Sequence, residues 1–477
     1  MIRYTLLTLF VTFFSMYALK DWYRGLLGML FLVAFMERQD MPEQMFGIYG
    51  MAPFNFLLVF VFLGMLMQRS KEDDGWRMPT GILVPILAMG ALIVIGHFRF
   101  TSDMSAYREY FYILGGEPSS KFVLFLEHVV TTIKWMIPAM LVLMGCNPRE
   151  RANETIFVLT IVLVILGVQI IRSMGLGVIT DGDALQRRAA RIMDRDIGFH
   201  RNQISLWMAA GFWFVWLLFM ESKAKLRKFA LLCSAGTLFL ALVLTGSRGG
   251  LLTWAITGAV FAFVRWRRLL IVGPVVVLIA VASVPALQER VMQTFNPETN
   301  AVEIDAGSGS SLATASAGRT VLWSYSLEVI AKRPLIGYGR EAILNTGVSL
   351  RLFEDFDRSM AAKHPHNAYI QLVFDNGLIG LAIVLFFFLK LINRSIHMVR
   401  LDDENLRLVG GIGIAWLVSF LAAGLTAQKF YPNEGSIFVW CVAAIVIRQG
   451  FESRVAQKPQ LVRRPAVNRR LSASRLR

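Results

Sequence analysis

Six histidines occur in 477 residues, and two of them stand together in His364-Pro365-His366-Asn367. An imidazole titrates within reach of neutral pH, so His366 can take a proton from an attacking hydroxyl, with His364 beside it to position the acceptor. Asn367 and Tyr369 follow at once. They either orient a sugar or cap and pack the helix that starts there. Arg248 lies in Thr245-Gly-Ser-Arg-Gly-Gly250, where Gly249 and Gly250 keep backbone bulk away, and Arg319 lies in Gly318-Arg319-Thr-Val-Leu322-Trp323. A guanidinium presents a fixed fork of donors that suits phosphate. These residue types support attack by a hydroxyl with expulsion of a phosphate group, the arginines stabilising the charge that develops on it. The plainer readings are an interfacial histidine, an Arg248 that snorkels to headgroups, and an Arg319 that solubilises an amphipathic helix.

The elements that must hold these residues are membrane helices. The chain is 55% apolar and 17% charged, with a mean hydropathy of +0.54. A soluble domain of this length would need far more polar surface. Apolar windows lie near 4–19, 22–37, 53–68, 79–97, 122–145, 154–172, 203–221, 228–246, 249–265, 269–286, 369–392, 408–427 and 435–449. The expectation is an all-α polytopic bundle of about 12–13 spans. The first window follows Arg3 in the manner of a signal peptide, but a second begins almost immediately, so it reads as a retained span.

Short loops fix the orientation. Arg69, Lys71 and Arg77, then Arg149 and Arg151, then Lys223, Lys225, Arg227 and Lys228, then Arg265, Arg267 and Arg268, then Arg394, Arg400 and Arg407 all fall on one side when spans alternate. Positive loops mark the cytoplasm. The net charge of +16 comes from these anchors and the tail, a pattern unlike a nucleic-acid groove. The C-terminus is then cytoplasmic, and an odd span count puts the N-terminus outside. Four regions follow: membrane helices over 1–172, an outer loop over 173–202, a region over 203–450 that contains a large outer loop at 287–365, and a basic tail over 451–477 that meets anionic headgroups. Within the large loop, Asp305–Gly318 is small and flexible, and Arg319–Ala331 has helical character.

Loop 173–202 breaks the charge rule, with Arg187, Arg188, Arg191, Arg195 and Arg201 on the outer face. Either it is a solvated amphipathic helix partnered by Asp194 and Asp196, or it binds an anion, with Arg191 and Arg195 assisting Arg248 and Arg319 on a diphosphate. Glu127, His128 and Lys134 sit in or near one span, where ionisable groups usually face a cavity or a partner. Glu127 and Lys134 share a helix face and could interact; the simpler reading leaves Glu127 among the headgroups. Other chemistries fail locally. Ser247 lacks the first glycine of a hydrolase elbow. No Walker loop or His-Glu-x-x-His occurs. Asp181 and Asp183 read as a turn, and Cys146, Cys233 and Cys441 form no disulfide or zinc pattern.

His366-Asn367, nine residues, then Gly377-Leu-Ile-Gly380 resembles the signature of bacterial O-antigen ligases and their polymerase relatives. Ser247-Arg-Gly-Gly250, Gly318-Arg319 and Pro334-Leu-Ile-Gly337-Tyr-Gly339 are similar to further landmarks of that superfamily, in matching order and spacing over roughly residues 200–450. The resemblance implies a GT-C-like helical fold with a large periplasmic loop over a lateral cavity in the inner membrane. It implies a metal-independent, cofactor-free, inverting glycosyl transfer. The donor would be a glycan on undecaprenyl diphosphate, the acceptor lipid A-core or another glycan, with membrane lipids as surroundings and no nucleic acid. The ligase reading stands first and a polysaccharide polymerase close behind it. A lipid-linked glycan flippase is the rival of another class; it predicts internal repeats or charges deep in the spans.

Overall fold

A computed structural model describes residues 2–48, 50–68, 78–180, 182–268, 319–356, 362–426 and 430–456, with scattered positions between 270 and 288. Most of the expected span 269–286, the flexible Asp305–Gly318, the basic gap at 69–77, Asp181 and the tail beyond 456 lie outside the described residues.

Hydrocarbon offers no partner to a backbone amide or carbonyl, so a spanning segment must satisfy its own, as a helix does. The described chain is accordingly helical, with no strand beyond one isolated bridge between Met45 and Ile48. The helices that frame the site are α1 (Ile2–Ala18), α2 (Trp22–Phe31), α3 (Pro53–Gln68), α4 (Thr80–Ser102), α5 (Lys121–Gly145), α6 (Arg149–Met174), α7 (Arg201–Glu221), α8 (Lys225–Leu244), α9 (Arg248–Val264), α10 (Arg319–Ile330), α11 (Ala368–Val399), α12 (Glu404–Gly424) and α13 (Ile437–Ala456). Among the described residues, eight helices are long and apolar enough to cross a membrane. The stretches Trp22–Ala34, Pro53–Gln68 and Arg248–Val264 are apolar but shorter. The expected window 22–37 is α2 followed by a 3-10 turn over Leu32–Ala34. The window 122–145 is one span interrupted by a π-helical stretch at Leu126–Thr131.

Helices α7, α12 and α13 form the centre. Of the spanning window of α12, 83% is buried, against 33% for α4 and α8 at the periphery. Polar groups fasten the central helices: Trp207 Nε1 donates to the Gly435 carbonyl at 2.8 Å, and the Thr257 and Ser419 hydroxyls meet at 2.8 Å. Ion pairs gather at one end of the bundle: Arg149–Asp403 at 2.7 Å, Lys223–Glu404 at 3.0 Å, and Glu221 with both Arg407 and Arg265. These basic residues are among those that loop charge placed on one side. The candidate site lies at the opposite end.

One device joins the outer segment to the bundle. Helix α11 breaks at Gly377, whose φ of 67° and ψ of −174° are not helical. A break strands backbone groups on both sides of it. The Pro334–Gly339 turn takes them up. Tyr338 N donates to Phe374 O at 2.9 Å and Gly339 N to Asp375 O at 2.8 Å, while Leu378 N donates to Pro334 O at 2.8 Å and Ile379 N to Leu335 O at 3.2 Å. The two glycine motifs are therefore the halves of one joint. A Cβ on Gly377 would stand 2.1 Å from the Leu335 carbonyl. Gly380 faces the side chain of Asn376, 2.3 Å from where its Cβ would be. Gly377→Ala is expected to cost roughly 2–4 kcal/mol of stability, read as a lower thermal midpoint in detergent; an unchanged midpoint would mean the joint is slack.

Candidate functional site

Three segments far apart in sequence supply the site. The first is the start of α7, where His200 Nδ1 accepts the Asn202 amide at 3.3 Å. The second is the α8–α9 turn. Ser247 caps α9 by accepting Gly250 N at 3.2 Å, and its hydroxyl donates to Asn202 Oδ1 at 3.2 Å. This lays Arg248 against the start of α7. The approach is close: a Cβ on Gly250 would lie 2.5 Å from Ser205 Cβ, and one on Gly249 would lie 2.6 Å from Thr426 Oγ1. The third is the His-Pro-His turn. Trp323, one turn along α10 from Arg319, donates its indole N–H to Pro365 O at 2.8 Å. The helix carrying Arg319 and the turn carrying His366 are so held together.

His366 adopts φ 53°, a left-handed conformation rarely taken by a side-chain-bearing residue. Such strain persists only where its surroundings impose it, and it gathers at functional positions. Its ring stands 4.2 Å from that of His364, edge to face. Burial pushes the Arg319 guanidinium below its ordinary pKa, and the like charges of Arg248 and Arg201 push it further. Arg201, Arg248 and Arg319 thus form one cationic cluster drawn from three elements. Guanidinium groups within electrostatic reach of one another are eased by an anion among them.

A cavity of about 450 Å³ opens at the start of α7, reaching the neighbours of Arg201 in sequence but lined by none of the three arginines. His364, His366, His200, Asn202, Gln203, Arg340 and Tyr431 line it, with Glu127, Glu434 and Trp135 among the opposing residues. Burial, reinforced by Asp375, lifts the Tyr431 phenol well above its ordinary range. It therefore stays a donor, to Asp375 Oδ2 at 3.1 Å.

Several expectations are met differently. Asn367 Oδ1 caps α11, accepting from Tyr369 N at 2.9 Å and Ile370 N at 3.2 Å. Tyr369 donates its hydroxyl to Leu421 O at 2.8 Å and packs on Phe430. Both hold the helix start, and neither is among the residues that line the cavity. Tyr369→Phe is expected to cost about 1 kcal/mol of stability, the net worth of one hydrogen bond, and to leave turnover near wild type. A tenfold loss of turnover without loss of stability would reverse that assignment. Arg191 and Arg195 are exposed, on Gly182–Ile192 and the π-helical Met193–Ile197. The arginine of that loop whose charge reaches Arg319 is Arg201. Glu127 and Lys134 do not pair. Lys134 lies over Trp135 at 4.6 Å and shares its electrostatic surroundings with Glu37 and Glu434, whereas His128 meets His97, ring nitrogen to ring nitrogen, at 3.5 Å.

Arg201 and Arg340 were the residues hardest to single out. Arg201 was one of several outer arginines, marked off only by opening an apolar run. Arg340 follows the Gly-x-Gly turn with no periodicity around it.

The site and fold define a polytopic helical membrane protein with a histidine and an arginine cluster at one end of its bundle. Residues 229–385 match the family model described as O-Antigen ligase. That segment contains the Ser247–Gly250, Arg319, Pro334–Gly339 and His366–Gly380 landmarks, so the resemblance to the O-antigen ligase and polymerase superfamily is borne out. The chain is also similar to the exopolysaccharide production protein ExoQ of Rhizobium meliloti (strain 1021), at 41% identity over 70 residues. That similarity spans 14% of this chain and 16% of the relative.

Proposed function

We propose that this protein transfers a glycan from a membrane-anchored polyprenyl diphosphate to an acceptor hydroxyl at the outer face of the plasma membrane. The observation that carries this reading is the convergence of Arg201, Arg248 and Arg319 beside the cavity that His366 lines. The acceptor oxygen attacks the anomeric carbon from the face opposite the leaving group, so configuration inverts. The bond from that carbon to the phosphate oxygen breaks, and undecaprenyl diphosphate leaves into the arginine cluster. The acceptor proton passes to His366. The cytoplasmic end is the one with the ion pairs, and the C-terminus lies there.

The similarity to the O-antigen ligase family favours lipid A-core as acceptor, as in ligation. The similarity to an exopolysaccharide production protein favours a second lipid-linked glycan instead, as in polymerisation. Deleting the gene and restoring it separates them on lipopolysaccharide and polysaccharide gels. Loss of O-antigen from lipid A-core with free polymer still made supports ligation. Single repeat units without polymer support polymerisation. Unchanged glycans, or precursors held on the cytoplasmic leaflet as a transporter would leave them, would sink the proposal.

A further inference from the structure

We propose that Arg340 forms a second anion subsite in the cavity, separate from the diphosphate cluster, and that it takes an acidic group carried by the acceptor sugar. This deepens the transferase reading and rests on it. Arg340 is 9% exposed and lines the cavity with His364 and His366. Its Nε and Nη1 are buried and have no hydrogen-bond partner among the described residues. A buried guanidinium left with open donors is costly unless something fills them.

The arrangement around Arg340 is built to hold it there. Its backbone N–H donates to Gly96 O at 2.8 Å, and its guanidinium lies over the Tyr431 ring at 3.6 Å. The Tyr431 hydroxyl is fixed in turn by Asp375 Oδ2. The other Asp375 oxygen accepts Ala342 N at 3.1 Å. Both Asp375 oxygens are thus engaged, and Arg340, which shares the charge of Asp375 and also meets the Tyr431 hydroxyl, keeps Nε and Nη1 enclosed and without a partner among the described residues.

The cavity around it suits a sugar. Asn202, Gln203 and Glu434 line it and offer partners for hydroxyls. Gln203 Nε2 already donates to Glu434 Oε1 at 3.3 Å. An oxyanion in this setting is a carboxylate or a phosphate ester on the glycan; Arg340 recognises either by the same fork.

Saturation-transfer NMR on the purified full chain in detergent tests this with four probes: glucuronate, glucose 6-phosphate, glucose and inorganic phosphate. Wild type should bind at least one acidic sugar about tenfold more tightly than glucose, the scale of one charge-assisted pair. Preference for glucuronate or for glucose 6-phosphate then says which acid the acceptor carries. Arg340→Gln should abolish the preference, and Arg340→Lys should restore part of it. No preference in wild type, binding of neither sugar, or a preference intact in Arg340→Gln would overturn the proposal. So would inorganic phosphate that binds as well as the acidic sugars and is lost in Arg340→Gln, which marks a bare anion site at Arg340. If Arg340→Gln fails to fold, Arg340→Lys carries the comparison, and a wild-type preference left at full strength in it overturns the assignment to the Arg340 fork. If the gene deletion leaves glycans unchanged while the acidic sugar binds, the transferase reading fails and the subsite survives.

Discussion

Exchanging His366 for alanine is expected to slow glycan transfer by about 10²–10⁴-fold, the usual worth of a positioned proton acceptor. The measurement is turnover of a lipid-linked donor by purified protein. The left-handed backbone at this position complicates alanine alone, because any side chain except glycine is strained there. His366→Asn separates the two effects. Asparagine tolerates that conformation better than most residues but takes no proton at neutral pH. Both variants should therefore be slow, and the asparagine variant should keep the wild-type thermal midpoint. Turnover within tenfold of wild type in His366→Asn would remove His366 from the chemistry and leave it a shape-holding residue.

Removing Arg248 or Arg319 should lower kcat about 10²–10³-fold, as loss of one preorganised donor to a developing charge does. If, as proposed, both groups act on one diphosphate, the double variant should fall far short of the product of the two losses. Lysine at either place should recover only part, because a point charge lacks the planar fork. Stability should move the other way. The Arg319 guanidinium is disfavoured in the folded protein by burial and by its cationic neighbours. Relieving that repulsion should raise the thermal midpoint of the substrate-free protein even as turnover collapses. A variant that loses both activity and stability would mean that Arg319 is a packing residue.

Much of this was legible in the sequence, for identifiable reasons. Glycine-flanked arginines and a His-Asn step keep fixed local spacing, so the Ser247–Gly250 and His366–Gly380 landmarks could be read directly. Apolar windows located the helices because hydrocarbon imposes length and composition together. They did not show where helices end early or break, as at Leu32 after α2 or over Leu126–Thr131, because a window averages over such interruptions. The joint at Gly377 was hidden for another reason. Its partner lies some forty residues upstream, and backbone hydrogen bonds leave little mark on side-chain identity. Arg201 and Arg340 gain their meaning only from neighbours supplied by other helices. The roles of Asn367 and Tyr369 are open between sugar and helix in the sequence, and their hydrogen-bond partners add a helix-holding role to each.

The break in α11 also bears on the order of assembly. The ribosome delivers the Pro334–Gly339 turn before the helix it completes. Until turn and helix meet, the Leu378 and Ile379 amides can pair with the Phe374 and Asp375 carbonyls as in an unbroken helix, so docking of the turn exchanges the partners of these four groups. The break at Gly377 thus rests on bonds to the turn in place of bonds within the helix, and it lasts only while the turn is docked. The same meeting sets the height of the His366 turn relative to the helix below it.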